Sequence, residues 1–267
     1  TKSDVSTRLN KLVDELTDFL DRVDVVSVFQ DGGSDLTADP IIHFYEPFLR
    51  EYDANIRRDR GVFYTPKPVV SYIVRSVDTK LRTEFGLEDG LADTATWGDM
   101  VKRIEGLEIP EGASAEQGFV QILDPATGTG TFLVEVIGVI HATMMKKWAD
   151  QGHNESKMLA LWNQYVPEQL LPRIFGYELM MAPYSVAQLT IGLKLHDTGY
   201  AFGHEVQPQV YLTNALEPAQ VVSGALVPSA LALEGQTVNV VKRKQRFTVV
   251  IGNPPYSKVS RNMSTFA

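Results

Sequence analysis

Phe119-Val-Gln-Ile-Leu-Asp124-Pro-Ala-Thr-Gly128-Thr-Gly130-Thr131-Phe132 is the stretch that decides the fold. Its first five residues form a short apolar run of the kind buried in a parallel strand. Asp124 to Thr131 then turns the chain, and Phe132 to about Trp148 has the length and spacing of a helix. Strand, glycine-rich turn and helix open a βαβ unit. Glycine lets the backbone pass close to a ligand, and a helix N-terminus offers free N–H groups to negative charge. Leu133 occupies the third glycine of the dinucleotide fingerprint, and no Walker Lys-Ser/Thr follows the turn. Neither a nicotinamide cofactor nor a nucleoside triphosphate matches this turn.

The same alternation continues downstream. Gln151–Gln169 reads as a mainly helical insertion. Leu171–Glu178 reads as a second strand ending in an acid, followed by a helix from about Pro183 to Leu195. Val206–Leu212 is a third strand, and a long connector with a helix near Ala225–Leu233 leads to a fourth, Phe247–Gly252. Strands alternating with helices predict an α/β domain with a parallel-rich sheet covered on both faces. Ligands of such sheets sit at the carboxyl ends of the strands. Each predicted end carries a candidate: Asp124, Ala126, Thr127, Gly128, Gly130 and Thr131; then Glu178; then Asn214; then Asn253. Phe132 follows the turn and reads equally as a cofactor neighbour or a core residue.

The fourth strand stops at Asn253-Pro254-Pro255-Tyr256. This places a side-chain amide, a carbonyl with no competing local donor and a flat ring at one point. Such a set suits capture of an exocyclic amine on a planar base. The alternative is an Asn-Pro turn that merely closes the strand. Glu178, after the second strand, is suited to accept the ribose hydroxyls of a nucleoside. It lies 178 − 124 = 54 residues after Asp124, against roughly 20 in a bare dinucleotide unit; the helical insertion accounts for the excess.

Ahead of the sheet, Ser6–Val23 and Ile41–Tyr52 have amphipathic helical spacing, separated by the loop Gln30–Pro40. Residues 1–58 read as a helical N-terminal region, and 59–267 as the catalytic domain. Gly61-Val-Phe-Tyr64-Thr65-Pro66 precedes a helical pattern from Val69 to about Phe85. Thr65 reads as the helix cap and Pro66 as its first turn.

Composition narrows the function. The absence of cysteine excludes disulfides, Cys-zinc sites and thiol nucleophiles. The five histidines show no metal-binding spacing, so no protein metal site is expected. Glu135 and Glu217 interrupt the most apolar runs, and no secretory pattern opens the chain, so the expectation is a soluble, cytoplasmic protein. The chain begins without methionine and stops eleven residues past Tyr256, which reads as part of a longer protein. The net charge of −8 is unlike a self-sufficient DNA-binding domain. Lys242, Arg243, Lys244 and Arg246 nevertheless cluster before the fourth strand, where they read equally as phosphate contacts or as a solvated charged face.

Asp124-Pro-x-x-Gly-x-Gly followed later by Asn253-Pro-Pro-Tyr256 resembles the paired motifs of S-adenosylmethionine-dependent DNA amino methyltransferases. The order Tyr64-Thr-Pro66, glycine-rich turn, Asn-Pro-Pro-Tyr is similar to the γ class of that family. Phe44–Tyr52 through Arg60–Pro66 resembles, more narrowly, the methyltransferase part of single-chain Type ISP restriction-modification enzymes. The resemblance covers about residues 41–256. It implies a Rossmann-like methyltransferase fold, S-adenosylmethionine as cofactor, and Tyr64, Thr65 and Pro66 against its methionine end. It puts Asn214 where the family shows an acid for the cofactor adenine. It also implies double-stranded DNA as partner, gripped through a target-recognition domain outside this chain, with an adenine flipped out.

The chemistry is consistent with that implication. An aromatic amine is a poor nucleophile because its lone pair is delocalised. Two acceptors, the Asn253 amide oxygen and the Pro254 carbonyl, would favour a pyramidal nitrogen by positioning and preorganised electrostatics. Pro255 stiffens the loop, and Tyr256 provides a stacking face. Asn at the first position favours, by resemblance, N6 of adenine. Two other readings stay open: an amino methyltransferase acting on a protein glutamine or on RNA, and a non-catalytic methyltransferase-like scaffold or sensor module.

Overall fold

The computed structural model describes residues 65–203, 207–217 and 229–254. The chain divides into two units, Thr1–Ala54 and Asn55–Ala267. The second contains every described residue. The expected helices Ser6–Val23 and Ile41–Tyr52, and the candidates Tyr64, Pro255 and Tyr256, lie outside the described residues.

Four parallel strands form one sheet: β1 (Ile122–Asp124), β2 (Ile174–Glu178), β3 (Gln209–Leu212) and β4 (Val249–Val250), in the order β3-β2-β1-β4. The chain winds outward from β1 through β2 to β3, then crosses to β4 on the other side of β1. That reversal creates a crevice at the carboxyl ends of β1 and β4.

Strand residues alternate between two cores, as a period of two requires. Ile122, Ile174, Val210 and Val249 join a large apolar cluster, shared with α1 (Lys67–Phe85), α3 (Thr131–Asp150) and α5 (Met181–Asp197). Leu123, Phe175, Tyr177 and Tyr211 point to the opposite face, with Val238 of α6 (Ser229–Lys244). Both faces are therefore covered, which is why the strands read as continuous apolar runs.

The short helix α2 (Trp97–Arg103) is closed by a capping box between Thr96 and Asp99. The insertion after α3 forms α4 (Glu155–Tyr165), where fully buried Trp162 donates from Nε1 to Thr198 Oγ1 at 2.9 Å.

Several boundaries differ from the sequence reading; β3 and β4 are shorter than the expected Val206–Leu212 and Phe247–Gly252. The first strand begins at Ile122, because Phe119 N bonds to Ala95 O and leaves the ladder. Residues 171–173 form a 3-10 turn ahead of β2. The connector helix runs to Lys244, carrying Lys242, Arg243 and Lys244 in its last turn. Cations in a last turn face the negative end of the helix dipole.

Candidate active site

The glycine-rich turn is pinned from below. Thr127 N donates to Tyr177 O at 2.9 Å, and Thr127 Oγ1 donates to Asp124 O at 3.1 Å. The turn can settle on β2 only because Gly176 has no side chain: a Cβ there would lie 2.5 Å from Thr127 Oγ1. Thr190 of α5 donates to Thr129 O at 2.6 Å, holding the turn from the side. Gly128 and Gly130 both have left-handed φ, +56° and +88°. A Cβ on Gly130 would also meet Thr190 Oγ1 at 3.0 Å, whereas Gly128 faces open space, with Ala126 O at 4.0 Å its nearest neighbour.

Helix α3 starts at Thr131 with Gly130 as its cap, and no side chain caps its first N–H groups. Phe132 is 4% exposed and packs in the large core cluster, which assigns it a packing position.

Two acids stand at the ends of β1 and β2. Asp124 is fully buried; Ala126 N donates to Oδ1 at 3.0 Å, while Oδ2 is buried without a partner. Burial, with a smaller push from Glu178, raises its pKa to about 7. Glu178 is largely buried and braces the turn: Gly128 N donates to Oε2 at 2.9 Å and Met180 N to Oε1 at 2.7 Å. Its pKa is raised by burial, which outweighs the backbone donors from Met180, Gly128 and Leu179. Three backbone donors on about four acceptor sites leave about one for a ligand.

After β3, Thr213 N donates to Glu178 O at 2.7 Å, joining the two strand ends. Asn214 shapes its own turn, accepting from Leu216 N at Oδ1 (3.1 Å) and donating from Nδ2 to Glu217 Oε1 (3.1 Å). Lys242 reaches across from α6 and donates to Thr213 Oγ1 (2.9 Å), Asn214 O (2.7 Å) and Glu217 O (3.1 Å). Its pKa is lowered by partial burial, against the opposing pull of Glu217. Lys242 thus holds a site loop, a correction to its reading as a phosphate contact.

At the end of β4, Ile251 N bonds to Leu123 O at 2.9 Å, and Gly252 packs on the first acid. A Cβ on Gly252 would stand 2.5 Å from Asp124 Oδ1 and 3.5 Å from Pro125 Cδ. Asn253 comes next, half-buried, and its Nδ2 donates to Thr65 Oγ1 at 3.1 Å. Thr65 is not the helix cap expected from the sequence: Pro66 holds the cap position of α1, with no side-chain hydrogen bond, and the hydroxyl serves Asn253 instead. Pro254 is exposed.

The structure therefore links Thr65 to Asn253, Gly252 to Asp124, Asp124 to Ala126, and Glu178 to Gly128 and Thr213. Gly176, Thr190 and Gly252 were not read from the sequence as site residues. A lone glycine inside a strand signals close backbone approach, so Gly176 was legible; Thr190 carries no local signal. Among the described residues there is no cluster of three or more potential metal ligands, and no helix long and apolar enough to cross a membrane.

The N-6 DNA Methylase family model matches residues 37–86, a span that includes Tyr64-Thr-Pro66 and α1. No curated protein matches the sequence significantly. Among solved structures, DrdV in its cryo-EM complex with DNA is similar at 26% identity and a TM-score of 0.52, over 82% of this chain and 16% of that one. LlaBIII, an ATP-dependent Type ISP restriction-modification enzyme bound to DNA, shows 20% identity and a TM-score of 0.51, over 85% and 13% of the two chains. A nuclease-deletion mutant of the Type ISP enzyme LlaGI, in complex with a DNA substrate mimic, shows 21% identity and a TM-score of 0.50, over 87% and 17%. The chain spans less than a fifth of the length of each. The likeness to the two Type ISP enzymes is one of fold. The resemblance to an N6-adenine DNA methyltransferase, read from the sequence motifs, agrees with the family match over residues 37–86.

Proposed function

We propose that this chain is the catalytic part of a DNA methyltransferase that modifies N6 of adenine within a restriction-modification system, with S-adenosylmethionine as methyl donor. One observation carries the proposal. Asn253 stands at the β1–β4 reversal, and its amide is tied at 3.1 Å to Thr65 of the Tyr-Thr-Pro motif. Two motifs far apart in sequence meet at the point where an open α/β sheet takes its ligand.

The residues fit the cofactor. A buried carboxylate oxygen of Asp124 lacks a donor, the α3 N-terminus has no side-chain cap, and Gly128 opens onto free space. Asp124, Gly128, Thr131 and Glu178 would hold the group, Glu178 through the acceptor site left for a ribose hydroxyl, with Thr65 and Pro66 toward its methionine end. When bound, S-adenosylmethionine supplies an electrophilic methyl on a sulfonium. Asn253 Oδ1 and Pro254 O accept the two N–H bonds of the target amine and direct its lone pair outward. No strong base is required, because the methylated nitrogen sheds its proton readily. By the resemblance, Pro255 and Tyr256, next in the sequence, would stiffen the segment and offer a stacking face to an adenine taken out of the duplex. Asn214 would accept from the cofactor adenine through the second lone pair of an oxygen that holds Leu216 N.

The test incubates the full-length protein with labelled S-adenosylmethionine and duplex DNA, followed by identification of the modified base. Label in N6-methyladenine, lost in Asn253→Ala while cofactor affinity persists, is the expected result. Label confined to protein or RNA would replace DNA as substrate. No label anywhere, with intact cofactor binding, would make the chain a sensor or scaffold.

A further inference from the structure

We infer that Thr65 is a positioning residue for Asn253: its hydroxyl takes one amide N–H and thereby presents Oδ1 to the substrate amine. The inference rests on the proposed chemistry and assigns Thr65 a role beyond cofactor contact. An asparagine amide has two chemically opposite faces, one accepting and one donating, related by a half-turn about a single bond. Only the accepting face can bind the N–H of an amine. A threonine hydroxyl can pair with either face, so what Thr65 restrains is the swing of the side chain; in the arrangement described it accepts from Nδ2 and leaves Oδ1 open.

The backbone of this segment is already fixed. Ile251 is bonded to Leu123, and Gly252 is wedged against Asp124. The remaining freedom lies in the side chain of Asn253, and the Thr65 hydroxyl meets it at Nδ2. Thr65 is available for this because it does not cap α1, where a Thr before a helix ordinarily spends its oxygen. Accepting from Nδ2 uses one lone pair and leaves the hydroxyl proton free for a ligand. The contact spans 188 positions of sequence, so it joins the first described element to the last strand.

The experiment compares Thr65→Val, which keeps the shape without the hydroxyl, with Thr65→Ser, which restores it. At saturating cofactor and DNA, Thr65→Val is expected to lower the single-turnover methylation rate about 10- to 100-fold, the scale of a misplaced reacting group. Any lost cofactor contact raises the cofactor Kd but leaves the saturated rate untouched, so the fall in that rate reports on Asn253, and Thr65→Ser should recover most of it. In the Asn253→Ala background, Thr65→Val should cause no further loss, because the two residues act as one unit. A large rise in cofactor Kd with an unchanged saturated rate would overturn the inference in favour of cofactor contact alone.

A second readout is independent of activity. The side-chain amide protons of Asn253, identified in NMR spectra by their absence from Asn253→Ala, should exchange slowly in wild type and Thr65→Ser and fast in Thr65→Val. Fast exchange in wild type overturns the inference. Slow exchange in a protein that methylates nothing would retain the positioning contact and remove the proposed function.

Discussion

Replacing Asp124 by Asn should make the protein more stable, by an amount that grows with pH. Asp124 is fully buried, with Oδ2 unpartnered, and its pKa is raised from 3.8 to about 7. The folded protein therefore binds a proton that the unfolded chain has already released between those two values. Stability must fall as pH rises through that window, and the full penalty applies above about pH 7. The shift is about three units, and each unit corresponds to about 1.4 kcal/mol, so the charged carboxylate costs on the order of 4 kcal/mol. Asparagine keeps the shape and an acceptor for Ala126 N but carries no charge. The stability gap between Asp124→Asn and wild type should widen by about 1.4 kcal/mol per pH unit from pH 5 to 7, then level off. Urea unfolding at four pH values, followed by fluorescence of the buried Trp97, Trp148 and Trp162, measures it. Saturation with S-adenosylmethionine should flatten the wild-type profile if a donor from the cofactor reaches Asp124. A gap independent of pH in the unliganded protein would refute the argument: the carboxylate would then be hydrated as in the unfolded chain.

The glycine turn yields a contrast. Gly130→Ala meets both a left-handed φ of +88° and Thr190 Oγ1 at 3.0 Å, whereas Gly128→Ala meets only a φ of +56°; Gly130→Ala should therefore show the larger loss of melting temperature, and Gly128→Ala mainly a loss of cofactor affinity by calorimetry. Gly176→Ala drives a Cβ to 2.5 Å from Thr127 Oγ1 and should cost about 1–3 kcal/mol by urea unfolding, with weaker cofactor binding as the turn lifts off β2. Lys242→Met removes three hydrogen bonds to residues 213–217 and should cost about 1–2 kcal/mol, with faster limited proteolysis within that loop.

The order of strands and helices, the position of the glycine turn and the residue at each strand end were legible in the amino-acid sequence. These are local matters. A buried parallel strand must be apolar along its length, and a turn on to a helix needs glycine where φ is positive, as at Gly128 and Gly130. The motifs that carry the resemblance are equally local. Boundaries were less legible where a side chain replaced the ladder: Thr248 Oγ1 accepts from Gln121 N at 3.0 Å and donates to Phe119 O at 2.6 Å, beyond the short paired run of β4.

Partnership across the fold was decided only in three dimensions. Thr65 had every local reason to cap its helix, yet its hydroxyl is bonded to Asn253 because β4 crosses to the far side of β1. Lys242 belonged to a basic run by sequence, but α6 turns its ammonium inward onto the Asn214 loop. The Gly252–Asp124 contact likewise exists only because those strand ends are neighbours in the sheet. Backbone preference acts over a few residues, whereas a hydrogen bond between distant side chains depends on sheet order and register. Those are set by the burial of the whole core rather than by any one segment.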